Sequence, residues 1–153
     1  LGCRRIVPLL SERSVSRPDD AEDKRTKWQT IADEALKQSG NPWRLIVETP
    51  VSPGAWIARQ ESFELLLIAS LLDVPKHPRT QFAQFQANHG RAPRSVGIVI
   101  GPEGDFSPTE YAAFRDAGAK AITLGSLVLR VETAATALLA VVQHELSAPL
   151  GKR

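Results

Sequence analysis

The stretch that decides the fold is Ile98-Val-Ile-Gly-Pro-Glu-Gly-Asp-Phe-Ser-Pro108. It begins with an apolar run suited to a buried strand, followed by Gly101 and Gly104, where the backbone can turn and approach a ligand closely. The next residues, Ser107-Pro-Thr-Glu110, form a capping box with proline at the first helical position, so a helix is predicted to begin there. A strand, a backbone-rich loop and a helix in this order predict a ligand site at residues 101–107, the first glycine loop.

A second stretch, Leu124-Gly-Ser-Leu-Val-Leu-Arg-Val-Glu-Thr-Ala-Ala135, has the same layout. Residues 121–124 predict a strand before it, and the last helix is predicted to begin near Glu132. Between them lies the second glycine loop, residues 124–130. Its residues 127–129 offer an apolar wall of about the size of an adenine ring, with main-chain groups free to meet the ring's polar edge.

The two glycine loops are predicted to meet at one edge of a sheet. In open α/β sheets, ligands bind outside the carboxyl ends of the strands, and each loop follows such an end. The dinucleotide-binding fingerprint and the lysine-serine pair of phosphate-binding loops are both absent from the sequence. From the residues alone, two tight turns that cap strands are as good an interpretation as a ligand site.

Apolar runs predict further strands at residues 5–10, 45–47 and 65–69, and helices are predicted over residues 53–60 and 109–117. The alternation of strands and helices predicts an α/β fold, with a mostly parallel sheet and helices on both faces.

The most strongly marked helix is predicted over residues 25–39 and ends at Gly40. Its apolar residues recur at helical spacing and would form the buried face: Trp28, Ile31, Ala32, Ala35 and Leu36. Residues 74–93 carry few signals and are predicted to be a loop with one or two helical turns, packed by Phe82 and Phe85.

The last helix is predicted to have two apolar faces. The first would be buried and carries Ala135, Leu138, Leu139, Val142 and Leu146. The second consists of small residues, Ala134, Ala137, Ala140 and Val141, and would let a second copy of the chain approach. A homodimer built partly on this helix is therefore expected.

The composition is that of an ordinary globular domain and points to a cytoplasmic setting. The 153 residues suit one domain, with 42% hydrophobic and 24% charged residues and no apolar run long enough for a membrane span. Without such a run, no membrane is expected as a partner. The lone Cys3 has no disulfide partner, which fits a reducing compartment. The three histidines are too far apart for metal spacing, so no metal is expected. A net charge of +2 is weak support for nucleic-acid binding, and the lack of methionine suggests a fragment.

Four segments in register resemble the ribosomal RNA small subunit methyltransferase E family. Members carry Gly-Pro-Glu-Gly-Gly, as at residues 101–105, and Leu-Gly-x-x-Ile-Leu-Arg-x-Glu-Thr-Ala, as at residues 124–134. Arg5-Ile-Val-Pro-Leu-Leu-Ser-Glu-Arg-Ser14 and Trp28-Gln-x-Ile-Ala-x-Glu-Ala-x-x-Gln-Ser-Gly40 are similar to the family in the same order.

The resemblance implies a trefoil-knotted SPOUT-type methyltransferase domain that binds S-adenosylmethionine as a homodimer. The implied reaction is N3-methylation of a uridine in 16S, small-subunit ribosomal RNA, during rRNA processing and ribosome biogenesis in the cytoplasm. The family also carries a PUA-like RNA-binding domain and the first strand and helix of the methyltransferase domain, which nothing here matches. Residues 1–153 are therefore expected to be an N-terminally truncated methyltransferase domain.

The resemblance also implies site residues. Arg130 is the first catalytic candidate, a cation for a developing uracil anion or a phosphate; Glu132 is the second, although with Thr133 it is expected chiefly to shape the loop and the helix start. RNA-binding candidates are Arg13, Glu34 and Gln38, the last two being equally well explained as a surface pair. The implied cofactor-binding residues are Ile100, Gly101, Pro102, Glu103, Gly104, Leu124, Gly125, Leu127, Leu129, Thr133 and Ala134.

The sequence departs from the family pattern at three places. Asp105 replaces a glycine, Ser126-Leu127 replaces Pro-Arg, and Asn41-Pro42 replaces a common arginine. Two missing arginines favour an alternative, a knotted dimeric module that binds cofactor or RNA without turnover. A SPOUT enzyme acting on tRNA ribose is a third possibility, against which the Leu-Arg-x-Glu-Thr-Ala segment argues.

Overall fold

Strands and helices alternate along the computed structural model, which describes residues 1–15, 20–71 and 75–147. The elements run in the order β1 (Arg5–Ile6), α1 (Ala21–Ser39), β2 (Ile46–Val47), α2 (Pro53–Ala58), β3 (Leu65–Ala69), α3 (Pro78–His89), β4 (Val96–Val99), α4 (Pro108–Asp116), β5 (Lys120–Ile122) and α5 (Val131–Leu146). No helix among the described residues is long and apolar enough to cross a membrane.

All described strand pairs are parallel, as predicted. β3 lies at the centre of a three-stranded sheet of order β4-β3-β5, and β1 pairs with β2 in a separate sheet. Leu67 of β3 is in register with Ile98 of β4 and Lys120 of β5. Because the strands are parallel, the carboxyl ends of β3, β4 and β5 lie at the same edge.

Helices cover both faces of the three-stranded sheet. Alternating side chains of β3 enter two separate apolar clusters, since successive residues of a strand point to opposite faces. One cluster contains Leu66 and Ile68 with side chains from α2 and α4, Trp56, Tyr111 and Phe114. The other contains Leu65 and Leu67 with side chains from α3 and α5, Phe82, Phe85, Leu138 and Val142. The α/β class with helices on both faces is confirmed, and the threading of the knot stays a prediction.

Three strands are shorter than predicted, although β2 lacks only Leu45 of the predicted residues 45–47. β1 covers only Arg5–Ile6 of the predicted 5–10, and Leu9 forms a single parallel bridge to Val51. Pro8 lies between them and has no N–H for a ladder. β5 ends at Ile122 rather than at residue 124.

The buried residue of α1 is polar, which the apolar pattern did not predict. Gln29 is 8% exposed; its Oε1 accepts from the N–H of Val47 at 2.8 Å, and its Nε2 donates to the carbonyl of Leu45 at 2.9 Å. The side chain thus satisfies main-chain groups of β2 and its approach. Ile31 is 67% exposed and Ala35 is also exposed, while Trp28, Ala32 and Leu36 are half-buried, so the predicted apolar face is only partly covered.

Residues 74–93 were predicted to be a loop with one or two helical turns, and the 12-residue helix α3 is longer than this; Val74 lies outside the described residues. His77 is the N-cap, and its Nδ1 accepts from the N–H of Arg79 at 3.3 Å. Pro78 occupies the first turn and Gly90 caps the end at φ 69°. These caps define the helix where periodicity is weak, and Phe82 and Phe85 are buried as predicted.

The helix α5 is rotated relative to the predicted faces. Its buried residues are Ala134, Leu138 and Val142, while Ala135 and Leu139 are half-buried and Leu146 is 38% exposed. Ala134 therefore belongs to the core and not to the second face. The remaining small residues of that face, Ala137, Ala140 and Val141, are half-buried or exposed.

Candidate functional site

The two glycine loops leave the same edge of the sheet, on either side of the end of β3, as the strand pattern predicted. The first loop follows β4 and the second follows β5, and β4 and β5 both pair with β3. Tyr111 joins the first loop to the end of β3, because its hydroxyl lies 2.7 Å from Oδ1 of Asp105 and 3.2 Å from the carbonyl oxygen of Ala69. The edge is therefore a structured surface where three strands end.

The first glycine loop is folded tightly upon itself. The N–H of Asp105 donates to the carbonyl of Pro102 at 2.8 Å, and Asp105 has φ 58°. A Cβ on Gly101 would lie 2.8 Å from Oδ1 of Asp105 and 3.3 Å from the main-chain N of Phe106. Glycine is required at 101 by this internal contact, in addition to any approach of a ligand.

Arg13 is the one RNA-binding candidate that the described contacts bring to the first glycine loop. Its Nη1 donates to the carbonyl of Gly104 at 3.1 Å, and a Cβ on Gly104 would lie 3.2 Å from the Cβ of Arg13. Glu110 holds the neighbouring chain, since its Oε1 accepts from the N–H of Glu12 at 2.8 Å and its Oε2 from the N–H of Ser107 at 2.9 Å. The capping box thus also fixes residues 11–14 to the site.

Sequence reasoning missed this second role of Glu110. The signal for the capping box was present, but a carboxylate has a second oxygen that a local motif does not assign.

The second glycine loop is open to solvent. Leu127 is 79% exposed and Val128 75% exposed, while Leu129 is 37% exposed. Gly125 has φ 136°, and a Cβ there would meet nothing within 4 Å. Glycine at 125 is explained by this positive φ. No described group of the chain lies close to the position of its missing side chain.

Arg130 is the N-cap residue of α5, with an exposed side chain that makes no capping hydrogen bond. Glu132 and Thr133 are exposed in the first turn, where a carboxylate is favoured by the helix dipole. Ala134 is buried and its N–H donates to the carbonyl of Arg130 at 2.8 Å, so neither its side chain nor its N–H is open to a ligand. The exposed cation and the positive end of the helix dipole therefore lie together.

Glu34 and Gln38 lie on α1, which packs on β2. Glu34 pairs with Lys37 at 2.7 Å, and both candidate side chains are exposed. This contact fits the surface-pair interpretation; among the described contacts, none ties either residue to a glycine loop.

Two open pockets lined by described residues lie away from the glycine loops. One of about 620 Å³ lies between α2 and α4 and is lined by Trp56 and Leu66, among others; one of about 250 Å³ lies beside α3. No residue of either glycine loop lines them.

Comparison with known proteins gives the same picture along nearly the whole chain. Residues 1–143 match the family model described as RNA methyltransferase domain. A ribosomal RNA small subunit methyltransferase E from Aquifex aeolicus is 29% identical over 144 residues, covering 94% of this chain and 58% of the relative. Its counterpart from Synechocystis is 31% identical over 143 residues, covering 92% of this chain and 44% of the relative. The chain thus spans about half the length of the curated relatives it matches.

Solved structures of similar fold contain a bound cofactor. A methyltransferase from Legionella pneumophila in complex with the cofactor SAM matches with a TM-score of 0.79 and 30% identity, covering 92% of this chain and 55% of that one. A ribosomal RNA small subunit methyltransferase E from Neisseria gonorrhoeae bound to S-adenosyl methionine matches with a TM-score of 0.71 and 30% identity, covering 91% and 55%.

Proposed function

Because this chain belongs to the RNA methyltransferase domain family, we propose that it methylates N3 of a uridine in 16S, small-subunit ribosomal RNA, with S-adenosylmethionine as the methyl donor. The resemblance drawn from four sequence segments is thereby confirmed at the level of the family. The observation that carries the proposal is the pair of glycine loops at the shared carboxyl edge of β3, β4 and β5. The class of RNA is proposed from the names of the relatives, which are ribosomal RNA small subunit methyltransferases E.

The residues of the glycine loops fit this cofactor. When bound, S-adenosylmethionine supplies an electrophilic methyl group on a positively charged sulfur. Leu127 and Leu129 offer apolar surface to its adenine. The carbonyls of Pro102, Gly104 and Gly125 already accept hydrogen bonds within the chain, so the polar parts of the cofactor would meet the remaining main-chain groups of residues 100–104 and 124–125. Arg13 steadies the first loop through the carbonyl of Gly104.

Arg130 is proposed to act electrostatically. N3 of uracil must release its proton, for which solvent is the acceptor, and it takes the methyl group as the bond from that group to sulfur breaks. Because the proton leaves ahead of the new N–C bond, negative charge develops on N3 and the ring oxygens. An arginine remains protonated at neutral pH and cannot serve as the base. Its exposed guanidinium, beside the positive end of α5, stabilises this charge or a neighbouring phosphate. Glu132 and Thr133 are proposed to hold the start of the helix.

The alternative is a dimeric module that binds cofactor or RNA without turnover. The observation in its favour is the 79% exposure of Leu127 at a position where the family carries arginine. With fewer cations at the carboxyl edge of the sheet, the affinity for the RNA phosphates would be lower. Methyl transfer distinguishes the two functions.

The test is a calorimetric titration of the complete protein with S-adenosylmethionine, followed by transfer of a labelled methyl group to small-subunit ribosomal RNA that lacks the modification. We expect saturable binding and one methyl group per RNA. Methylation at N3 blocks base pairing, so the modified uridine should stop reverse transcription. Large-subunit RNA is the matched control and should accept no label. Binding without transfer would support the alternative module. The absence of cofactor binding would reject methyl transfer and would leave only the RNA-binding form of the alternative.

We further propose a homodimer that uses the exposed small residues of α5. Ala140 is exposed on this helix, and Ala137 and Val141 beside it are half-buried. Light scattering should give twice the mass of the chain, and Ala140→Glu should give monomers because a charge would be buried at the contact. Gln84→Glu, at an exposed position of α3, is the control and should leave the dimer intact. A wild-type monomer at micromolar concentration would contradict this proposal.

A further inference from the structure

Asp105 holds an uncommon backbone conformation. Its φ of 58° lies in the left-handed region, which glycine adopts freely and which aspartate tolerates better than most residues. The family motif has glycine at this position. A side chain that replaces glycine here needs contacts that offset the strain.

The carboxylate of Asp105 provides these contacts. Its Oδ1 accepts from the N–H of Phe106 at 2.9 Å and lies 2.7 Å from the hydroxyl of Tyr111. The same oxygen lies where a Cβ on Gly101 would approach to 2.8 Å. The carboxylate therefore lies between the main chain of Gly101 and the hydroxyl of Tyr111 on α4, within the first glycine loop.

Tyr111 is itself fixed from several sides. It is 4% exposed, and its ring meets Phe106 edge to face with centroids 5.7 Å apart. Burial, and then the hydrogen bond to Asp105, raise the pKa of its hydroxyl well above the ordinary value of about 10. The hydroxyl thus remains a donor at neutral pH. Because it also lies 3.2 Å from the carbonyl oxygen of Ala69, it ties Asp105 to the end of β3.

We propose that Asp105 is a positioning residue that holds the first glycine loop, through Tyr111, in the form that binds the cofactor. The inference rests on the proposed function, since it assigns this loop to the cofactor. In a chain with glycine at 105, the loop could change conformation without breaking a side-chain contact. Here the hydrogen bonds of one carboxylate and one hydroxyl join the loop to α4 and β3.

Four variants separate the contacts. Asp105→Ala removes the acceptor and keeps the backbone strain, whereas Asp105→Gly removes both. Tyr111→Phe removes the hydroxyl, and with it the contacts to both Asp105 and the carbonyl of Ala69. Asp105→Asn keeps an oxygen acceptor and tolerates the left-handed conformation. Asp116→Ala is the matched control, because it removes an exposed carboxylate at the other end of α4.

Cofactor affinity is the first measurement. By calorimetry with S-adenosylmethionine, we expect Asp105→Ala to weaken binding roughly tenfold or more and Tyr111→Phe to weaken it several-fold, as the loss of buried hydrogen bonds to a charged group implies. Asp105→Gly should also weaken binding although it relieves strain. Asp105→Asn should stay within a few fold of wild type, as should Asp116→Ala.

The ionisation of Tyr111 is the second measurement, and it requires no cofactor. Tyr111 is the only tyrosine in the sequence, so the rise of tyrosinate absorbance with pH reports this one hydroxyl. We expect ionisation above the ordinary pH of about 10 in wild type and a shift to lower pH in Asp105→Ala. Asp116→Ala should titrate as wild type does.

The outcomes are distinguishable. If wild type binds the cofactor and Asp105→Ala, still folded, binds it equally well, the positioning role is overturned while the proposed function stands. An unchanged titration of Tyr111 in Asp105→Ala also overturns it, because the contact would then be absent in solution. If wild type binds no cofactor, both proposals fail. Should Asp105→Ala not fold, Tyr111→Phe decides by the same comparison of affinities.

Discussion

Arg130→Ala in the complete protein is expected to lower methyl transfer to small-subunit ribosomal RNA by at least about a hundredfold, on the order of 2.7 kcal/mol of transition-state stabilisation. The reason is the position of Arg130 at the start of α5, where its exposed side chain has no capping role. A cation there meets charge that develops only during the reaction. Its loss should therefore lower kcat more than it affects binding of the cofactor.

The measurement pairs single-turnover methyl transfer with calorimetry of cofactor binding. Cofactor affinity of Arg130→Ala should stay within a few fold of wild type. Arg130→Lys keeps the charge but not the planar fork, and should recover part of the rate. Arg115→Ala, at an exposed arginine in the last turn of α4, is the control and should keep the wild-type rate. A loss of cofactor affinity as steep as the loss of rate would make Arg130 a binding or structural residue instead.

The parts of the fold that the sequence predicts well are those encoded by neighbouring residues. The start of α4 is one case, because Ser107 and Glu110 exchange their capping hydrogen bonds across a single turn. The central strand β3 is another, since Leu65–Ala69 is apolar throughout and its length is typical of a buried strand and short for a helix. Placing both glycine loops at one edge then follows from the parallel pairing.

What the sequence does not predict are contacts between distant residues. Gln29 is polar and belongs to no apolar face, yet it is buried because main-chain groups near β2 need its amide. Ile31 fits the apolar pattern and is exposed, because a pattern states which face is apolar and not whether anything covers it. The length of α3 was underestimated, since its bounds depend on the caps His77 and Gly90 more than on periodicity.

In the candidate site, too, the features encoded by neighbouring residues were predicted and the contacts between distant residues were not. The motifs identify the glycine loops, and they also show that Asp105 stands where the family pattern has glycine. Its φ of 58° lies in the left-handed region that glycine adopts freely. Two hydrogen bonds were not predictable, because no motif connects the residues that form them. One joins the hydroxyl of Tyr111 to Asp105, and the other joins Arg13 to the carbonyl of Gly104. The roles of individual site residues stay predictions until the variants are measured.

Gly101→Ala is expected to cost at least about thirtyfold in affinity for S-adenosylmethionine, roughly 2 kcal/mol. The new Cβ would lie 2.8 Å from Oδ1 of Asp105 and 3.3 Å from the main-chain N of Phe106. The carboxylate cannot simply move aside, because it is hydrogen-bonded to Phe106 and Tyr111. The loop must therefore change shape, and overpacking of this kind typically costs about 1–3 kcal/mol in stability.

Gly54→Ala is the matched control for this change. A Cβ at Gly54 would meet nothing within 4 Å, and the residue lies in α2. Alanine is favoured over glycine in a helix, so the control should keep cofactor affinity and gain up to about 1 kcal/mol of stability. Calorimetry and thermal unfolding of both variants, at a temperature where both are folded, separate the loss of binding from the loss of fold.

A double variant identifies which contact of Gly101 matters. In Gly101→Ala with Asp105→Gly, the carboxylate that the new methyl group meets is gone, while the main-chain N of Phe106 remains at 3.3 Å. We expect the double variant to be more stable than the sum of the two single changes predicts, since the clash and the strain at φ 58° are removed together. Cofactor affinity should not recover, because the link from Asp105 to Tyr111 is lost with the carboxylate. Additive stabilities would mean that Gly101 is constrained by the backbone of Phe106, and a full recovery of affinity would mean that the loop needs only space at residue 101.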